Sequence, residues 1–258
     1  MAREREFRLD KRIPYPKKGQ PQFESSDALC EFMRTELGID RIIMAFSTGK
    51  DSVAALCQLL DHGFEIFPYY QQMIPGGLPF VNKTIEFYEE FFGIKIHQIL
   101  HPNAWRWMFA LTSQPPWRRD AISSLDLPAY DYAGIQEGMR RSCPGCEDTW
   151  AAVGTRIVDS PIRRMNLTHR VVNQRNRSFF PIFDFRKVDI ISKLKKWKCP
   201  VSIDYEVFGR SWDGIDHRYY EPLTRHFPES AELVRFWYPM QDIELYRAEV
   251  ARRHGQAK

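Results

Sequence analysis

The run Ile42-Ile43-Met44-Ala45-Phe46 constrains this chain more than any other feature. Five apolar residues without an intervening polar one do not alternate, so they suit a strand covered on both faces, as in a parallel sheet between helices. A polar loop, Ser47-Thr48-Gly49-Lys50-Asp51-Ser52, follows at once. Val53, Leu56, Cys57, Leu59 and Leu60 then recur at helical spacing up to Gly63, and Phe64 to Tyr70 reads as a second strand. Strand, tight loop, helix and strand make a βαβ unit, whose crossover is right-handed in nearly all folds. The pattern repeats once, through a loop with Pro75-Gly76-Gly77 and Pro79, an aromatic-rich helix near 80–92 stopped by Gly93, and a strand near 94–100. The expected fold is therefore α/β, with a doubly wound, mostly parallel sheet.

Upstream, Ser26 or its neighbour can cap a helix carrying Leu29, Phe32, Met33 and Leu37, with Gly38 as its stop. Beyond Pro102 the pattern weakens to a Trp-rich helix near 104–111, a Pro-Pro-Trp loop at 115–117 and a helix near 129–141. Helices return near 187–197 and 229–252, with an irregular stretch between them. The expected organisation is a basic N-terminal arm (1–24), a nucleotide-binding domain (25–198) and a mostly helical C-terminal extension (199–258).

With 258 residues, 43% hydrophobic and 14% aromatic, the chain can bury a full core, which excludes a disordered or fibrous protein. No apolar stretch reaches the length of a membrane span, and MAREREFRLDKR carries charges where a signal peptide needs an apolar core. A soluble, unexported protein without a membrane partner is expected. Five cysteines, an odd number in a chain of this size, do not resemble the disulfide framework of a small secreted protein, and a reducing cytoplasm fits them better. The formal charge of +4 is unevenly spread. Between Gly154 and Lys187, eight Arg or Lys face Asp159 and Asp184, and the first twenty residues carry seven Arg or Lys against Glu4, Glu6 and Asp10. Such an arm is either a solvated terminus or a binding element.

Ligands of open parallel sheets bind beyond the carboxyl ends of the strands, which is where the loop 47–52 leaves. Gly49 lets the backbone turn closely, successive amides and the helix N-terminus favour anions, and Ser47, Ser52 and Lys50 add hydroxyl donors and a positive charge. These are the parts of a phosphate cradle. A Walker-type loop would need glycine where Met44 stands and a hydroxyl residue where Asp51 follows Lys50. An ordinary strand-to-helix turn would not need Lys and Asp together.

Phe46-Ser-Thr-Gly-Lys-Asp-Ser52 resembles the pyrophosphate loop of the ATP pyrophosphatase (adenine nucleotide alpha-hydrolase, PP-loop) superfamily, usually S-G-G-x-D-S. With Lys in the fourth position it is similar to the phosphoadenylyl-sulfate (PAPS) reductase-like branch, which also includes sulfate adenylyltransferase small subunits and DNA sulfur-modification proteins. Thr48 replaces the first of the two glycines, the motif's second residue, and restricts φ at that point. Gly154-Thr-Arg156-Ile-Val-Asp159-Ser160-Pro-Ile-Arg163 resembles the branch's G-x-R-x-x-E-S-x-x-R, with Asp for Glu. Phe180-Pro181-Ile182 to Val188-Asp189 is similar to P-[IL]-x-x-W-x-x-x-D-[VI], with Phe185 for Trp. The likeness covers roughly residues 40 to 195.

The resemblance implies an adenine nucleotide alpha-hydrolase-like fold with ATP and Mg²⁺ as cofactors. It implies nucleotide binding by Ser47, Thr48, Gly49, Lys50, Asp51, Ser52, Gly154 and Arg156, with catalysis by Lys50, Asp51, Arg156 and Arg163. Lys50 and the loop amides would stabilise charge on the pyrophosphate, and Asp51 would orient the Mg²⁺. Adenine would sit near Phe67–Tyr70. Cleavage at the α-phosphate would adenylate an unidentified acceptor and release pyrophosphate. Sulfonucleotide reduction is the alternative, but reductases of this branch resemble one another in a cysteine near the C-terminus, and here none follows Cys199. A third reading is a non-catalytic nucleotide sensor or nucleic-acid-binding subunit with a ParB-like partner.

Other candidates divide between chemistry and plain structure. Cys143-Pro-Gly-Cys146 suits a metal half-site, a redox pair or a turn with two ordinary thiols. His97, His101 and His169 suit packing or surface positions better than ligation. Residues 208–218, with two Gly, two Asp and two Arg, form either a functional loop or a turn held by Asp–Arg pairs, and resemble a segment of phage-encoded PAPS reductase-like proteins. Trp105, Trp107 and Trp117 suit packing better than base stacking.

Overall fold

The computed structural model describes residues 10–15, 21–110, 113–126 and 131–255, so much of the basic arm and parts of the expected helices near 104–111 and 129–141 lie outside the described residues. In chain order the elements are α1 (Ser26–Thr35), β1 (Arg41–Ala45), α2 (Lys50–Asp61), β2 (Glu65–Gln72), α3 (Pro79–Phe92), β3 (His97–Leu100), α4 (Pro102–Met108), α5 (Pro116–Ser123), α6 (Tyr132–Ser142) and β4 (Trp150–Val153). A single 3-10 turn, Ile157–Asp159, then leads to α7 (Pro161–His169), β5 (Val172–Asn173), β6 (Ser178–Phe179), α8 (Lys187–Trp197), α9 (Asp204–Phe208), α10 (His217–His226), α11 (Pro228–Trp237) and α12 (Ile243–Arg253).

The fold is α/β. Six strands follow the order β3-β2-β1-β4-β6-β5. β1 runs parallel to both β2 and β4, β4 runs parallel to β6, and β5 runs antiparallel to β6. With Ile43 opposite Phe67 on one side and Ala151 on the other, β1 is an interior strand. That position explains its unbroken apolar run: Ile42, Ile43 and Met44 are fully buried. Strand order reverses at β1, since β2 and β3 continue to one side while β4 starts the other, and a switch point results between β1 and β4.

The described residues of Met1–Phe46, Lys50–Tyr69 and Ala133–Pro200 form one compact unit, and those of Ser47–Gly49, Tyr70–Tyr132 and Val201–Lys258 form a second. In the first unit, α1 begins where the Ser25 hydroxyl accepts from the Ala28 amide, and it buries Leu29 and Met33. α2 buries every residue from Ser52 to Leu59, which no solvent-facing helix could do. α8 is tied to the end of α2 through Asp61, which accepts from Lys193 at 2.8 Å, Lys196 at 2.9 Å and the Trp197 indole at 3.2 Å. Each fully buried Leu, Ile or Met contributes about 1.5–3 kcal/mol.

The second unit is built around aromatic side chains. Phe80 stacks on Phe227 at 4.4 Å and meets the edge of Trp212 at 5.6 Å, while Phe208 and Tyr219 close the cluster. Tyr238, fully buried, donates its hydroxyl to the Met73 and Ala104 carbonyls at 2.9 and 3.2 Å.

Three expectations require correction. Pro115-Pro116-Trp117 is the start of α5, because proline is at ease at the first helical position, where its missing amide has no partner to lose. The helix expected over 229–252 is two helices, α11 and α12, interrupted at Tyr238-Pro239, where proline disfavours helical backbone before it. The stretch expected to be irregular contains α9 and α10.

Candidate functional site

Both segments singled out from sequence begin at carboxyl ends of neighbouring parallel strands. Ser47–Ser52 follows β1, Gly154–Arg163 follows β4, and the pairing of the strands sets Ala45 beside Val153. This is the switch point of the sheet, the usual ligand position in open α/β folds.

In the first unit, Gly154 makes the approach possible. A Cβ there would lie 3.3 Å from Ser52 Cα and 3.4 Å from both Ala55 Cβ and the Asp51 carbonyl oxygen. With no side chain in the way, Arg156 comes to rest, almost fully buried, against the first turn of α2. Its Nη2 pairs with Asp159 Oδ1 at 2.8 Å and with Asp51 Oδ2 at 3.3 Å. Asp51 Oδ2 also accepts from Lys50 Nζ at 3.0 Å.

The spacing of the second motif follows from capping. Asp159, three residues after Arg156, accepts from the Arg156 amide at 2.8 Å and so closes the 3-10 turn. Ser160 then caps α7, its hydroxyl accepting from the Arg163 amide at 3.2 Å, with Pro161 at the first helical position. That places Arg163 in the first turn, where its Nη1 reaches Asp159 Oδ2 at 3.2 Å. Three cations thus share two carboxylates. Sequence reasoning counted Asp159 as part of the motif but not as a site residue, although it holds both arginines.

The cluster is incomplete in itself. Asp51 Oδ1 and Arg156 Nε are buried without a hydrogen-bond partner. An orphaned buried polar atom costs about 1–3 kcal/mol, more when charged. The pair calls for an anionic acceptor at Arg156 and a cation or donor at Asp51. Mg²⁺ fits such a position, being held in nucleotide sites by one or two carboxylates plus phosphate oxygens. Among the described residues no three His, Cys, Asp or Glu side chains converge to hold a metal by themselves.

In the second unit, Thr48 takes a left-handed backbone, φ 57°, where a β-branched residue is a true outlier. Its side chain is buried, and its hydroxyl donates to the Ser47 carbonyl at 2.6 Å. A Cβ on Gly49 would meet Ser211 Oγ at 3.0 Å and Ser211 Cβ at 3.1 Å, so a side chain at 49 would press on Ser211. Ser211 belongs to the stretch 208–218, and no sequence signal joins it to Gly49. In the same stretch Asp216 caps α10 and binds Arg218 at 2.7 Å, an Asp–Arg turn.

The third motif is scaffolding. Ile182 and Phe183 are buried, and the Phe183 carbonyl accepts from the Ile157 amide at 2.8 Å, which fixes the turn carrying Arg156 and Asp159. Asp189 caps α8 by accepting from the Arg186 amide at 2.7 Å. Tyr69 and Tyr70, at the end of the expected adenine wall, are buried, and burial pushes the Tyr69 hydroxyl up to about 12.

Cys143 and Cys146 are both buried, in a turn where the Cys146 amide donates to the Cys143 carbonyl at 3.1 Å. Burial pushes both thiols up, Cys146 to about 11, away from thiolate chemistry. His101 caps α4, its Nδ1 accepting from the Asn103 amide at 2.9 Å, and burial lowers its pKa. His97 lies in β3, and His169 ends α7. Trp105 packs on Phe109 and Trp107 on Tyr238, whereas Trp117 is exposed. No helix of the described residues is long and apolar enough to cross a membrane.

No protein-family model matches the chain, and no curated protein matches it. Among solved structures the chain is similar to the NH3-dependent NAD synthetase from Campylobacter jejuni subsp. jejuni NCTC 11168 in complex with the nitrate ion, at 13% identity over 90% of this chain and 96% of that one, with a TM-score of 0.39. It is also similar to the NMN synthetase from Francisella tularensis, at 11% identity over 90% of this chain and 94% of the other, with a TM-score of 0.34. Likeness at this level assigns neither family nor activity.

Proposed function

We propose that the chain is a cytoplasmic enzyme of the PAPS reductase-like branch of the PP-loop superfamily that binds ATP through Ser47–Ser52, Gly154 and Arg156. In this reading it cleaves ATP at the α-phosphate to adenylate an acceptor. The observation that carries the reading is the pair of orphaned buried atoms, Asp51 Oδ1 and Arg156 Nε, in the segments that follow β1 and β4. A phosphate with its cation would satisfy both at once and match the charge of each partner.

Lys50 exchanges Asp51 for a phosphate oxygen and, with the amides at the start of α2, stabilises negative charge as pyrophosphate departs. Asp51 Oδ1 would hold Mg²⁺, which supplies charge neutralisation between the phosphates. Arg156, fixed by Asp159, has its Nε left for an anion. Arg163, half exposed beyond Asp159, is the group placed to meet an anionic acceptor. An acceptor oxygen attacks the α-phosphorus, the bond from that phosphorus to the bridging oxygen breaks, and pyrophosphate carries the electron pair away.

Sulfonucleotide reduction is the weaker reading, because it requires a reactive thiolate and the cysteines are buried with thiols pushed upward. Labelled ATP incubated with Mg²⁺ and the protein tests the proposal. The expected products are AMP and pyrophosphate, lost in Lys50→Ala and Asp51→Ala variants that keep the wild-type circular dichroism. ADP and phosphate, or full turnover in both variants, would remove the loop from the chemistry.

A further inference from the structure

The basic segment 154–187 does not act as one surface. Arg156 and Arg163 are held by Asp51 and Asp159, and Arg177 binds Glu137 and Asp148. Arg170 and Arg175 lie elsewhere. They flank a cleft of about 540 Å³ in the first unit, together with Lys11 of the N-terminal arm. All three are exposed, and none pairs with a carboxylate among the described residues.

The cleft exists because the arm is fastened to the β5–β6 hairpin. The Asp10 amide donates to Gln174 Oε1 at 2.8 Å, and Gln22 Oε1 accepts from the Val171 and Val172 amides at 2.8 and 3.1 Å. Gln22 Nε2 in turn donates to the Pro14 carbonyl at 2.9 Å. Ile13 and Val172 are buried against the floor, and Tyr15 stands 83% exposed at the side. Asp10, an acid in the wall, is already matched by Arg12, whose guanidinium donates to both of its oxygens. The cleft is therefore apolar below, cationic on its rim, and furnished with an unused aromatic ring.

We propose that this cleft is a second binding site, one that holds single-stranded nucleic acid, with Lys11, Arg170 and Arg175 on the phosphates and Tyr15 against a base. Three cations around one cleft suit the repeated phosphates of a strand better than a single anion. An exposed ring needs an unstacked base, which a single strand offers and a duplex hides. The site is independent of the ATP reading, since none of its residues belongs to the β1–β4 cluster.

Fluorescence anisotropy of the full chain with a labelled oligothymidine of about 20 nucleotides tests the proposal. The expected result is binding whose log K falls linearly with log salt. The double variant Arg170→Ala, Arg175→Ala lowers the slope by about 1.4, at about 0.7 per phosphate contact in single strands, and weakens binding at least tenfold. Tyr15→Ala weakens it about tenfold with the slope unchanged. These residues are exposed, so the variants fold, and ATP affinity stays at the wild-type value in each. The proposal is overturned by absence of binding at low salt, by wild-type affinity in the double variant, by loss of binding through Arg163→Ala, Arg164→Ala instead, or by a duplex of equal length binding as tightly.

Discussion

Replacing Arg156 with alanine removes the guanidinium that ties Asp51 to Asp159. Two contacts disappear, one at 2.8 Å to Asp159 and one at 3.3 Å to Asp51. A hydrogen bond to a charged group contributes about 1.5–3 kcal/mol. The longer contact is weak, both carboxylates are partly solvated, and each keeps a second cation, Lys50 or Arg163. The expected loss of folding free energy is therefore near the low end, about 2 kcal/mol. ATP affinity should fall about ten- to a hundredfold, since a charge-assisted bond of this size corresponds to one or two decades. Urea unfolding measures the first and calorimetry with a non-hydrolysable ATP analogue and Mg²⁺ the second. The pair Arg156→Ala, Asp159→Asn separates the two roles: neutralising the carboxylate left with Arg163 as its one cation restores about 1 kcal/mol, while affinity stays low. Wild-type affinity in Arg156→Ala would refute the ligand role, and full recovery of affinity in the double variant would reduce Arg156 to a counter-ion.

Gly154→Ala should destabilise by about 1–3 kcal/mol, because its Cβ would press on the backbone of Ser52, which cannot rotate aside, and a thermal melt with a wild-type midpoint would contradict the packing. Asp61→Asn should cost about 1–2 kcal/mol at neutral pH. Burial pushes the Asp61 carboxyl up, but hydrogen bonds from Lys193 and Lys196 outweigh it and hold the carboxyl below its usual value. A lowered folded pKa gives stability that is present above the unfolded pKa, about 3.9, and is lost as pH falls through the folded value, so wild type and variant should converge below that point. Divergence on acidification would reverse the sign. Cys143→Ser, Cys146→Ser should keep ATP affinity, and the wild type should release no sulfite from PAPS with thioredoxin; sulfite release abolished by either substitution would promote the reductase reading.

The first half of the sheet was legible because its signals are local. The apolar run at 42–46 became β1, and the helix expected over 80–92 with Gly93 as its stop is α3, Pro79–Phe92, with Gly93 at φ 65°. β4 carries no such signal. Trp150-Ala-Ala-Val153 becomes a strand through parallel pairing with Ile42–Ala45, a segment distant in sequence, and β5 and β6 are too short for any period to show. At the candidate site, Arg156 and Arg163 were singled out through the resemblance of Gly154–Arg163 to a family motif, with Asp159 counted in the motif only, and the structure shows that caps impose their spacing. Ser211 was not, because its proximity to Gly49 comes from tertiary packing across a long stretch of chain. In 208–218 the Asp216–Arg218 pair is local, and a turn held by such a pair was one of the two readings of that stretch.

Thr48 adds a kinetic and entropic dimension to the loop. A glycine at this point would visit several backbone basins in the unliganded protein and would have to surrender them when an anion arrived. A threonine already held at φ 57° has little left to surrender. Its left-handed backbone is a standing strain of about 1–2 kcal/mol, carried whether or not a ligand is present. On the proposed reading, the ordering cost would thereby move from the binding event to the folding event, and the loop would meet its anion as a preformed mould rather than a hinge.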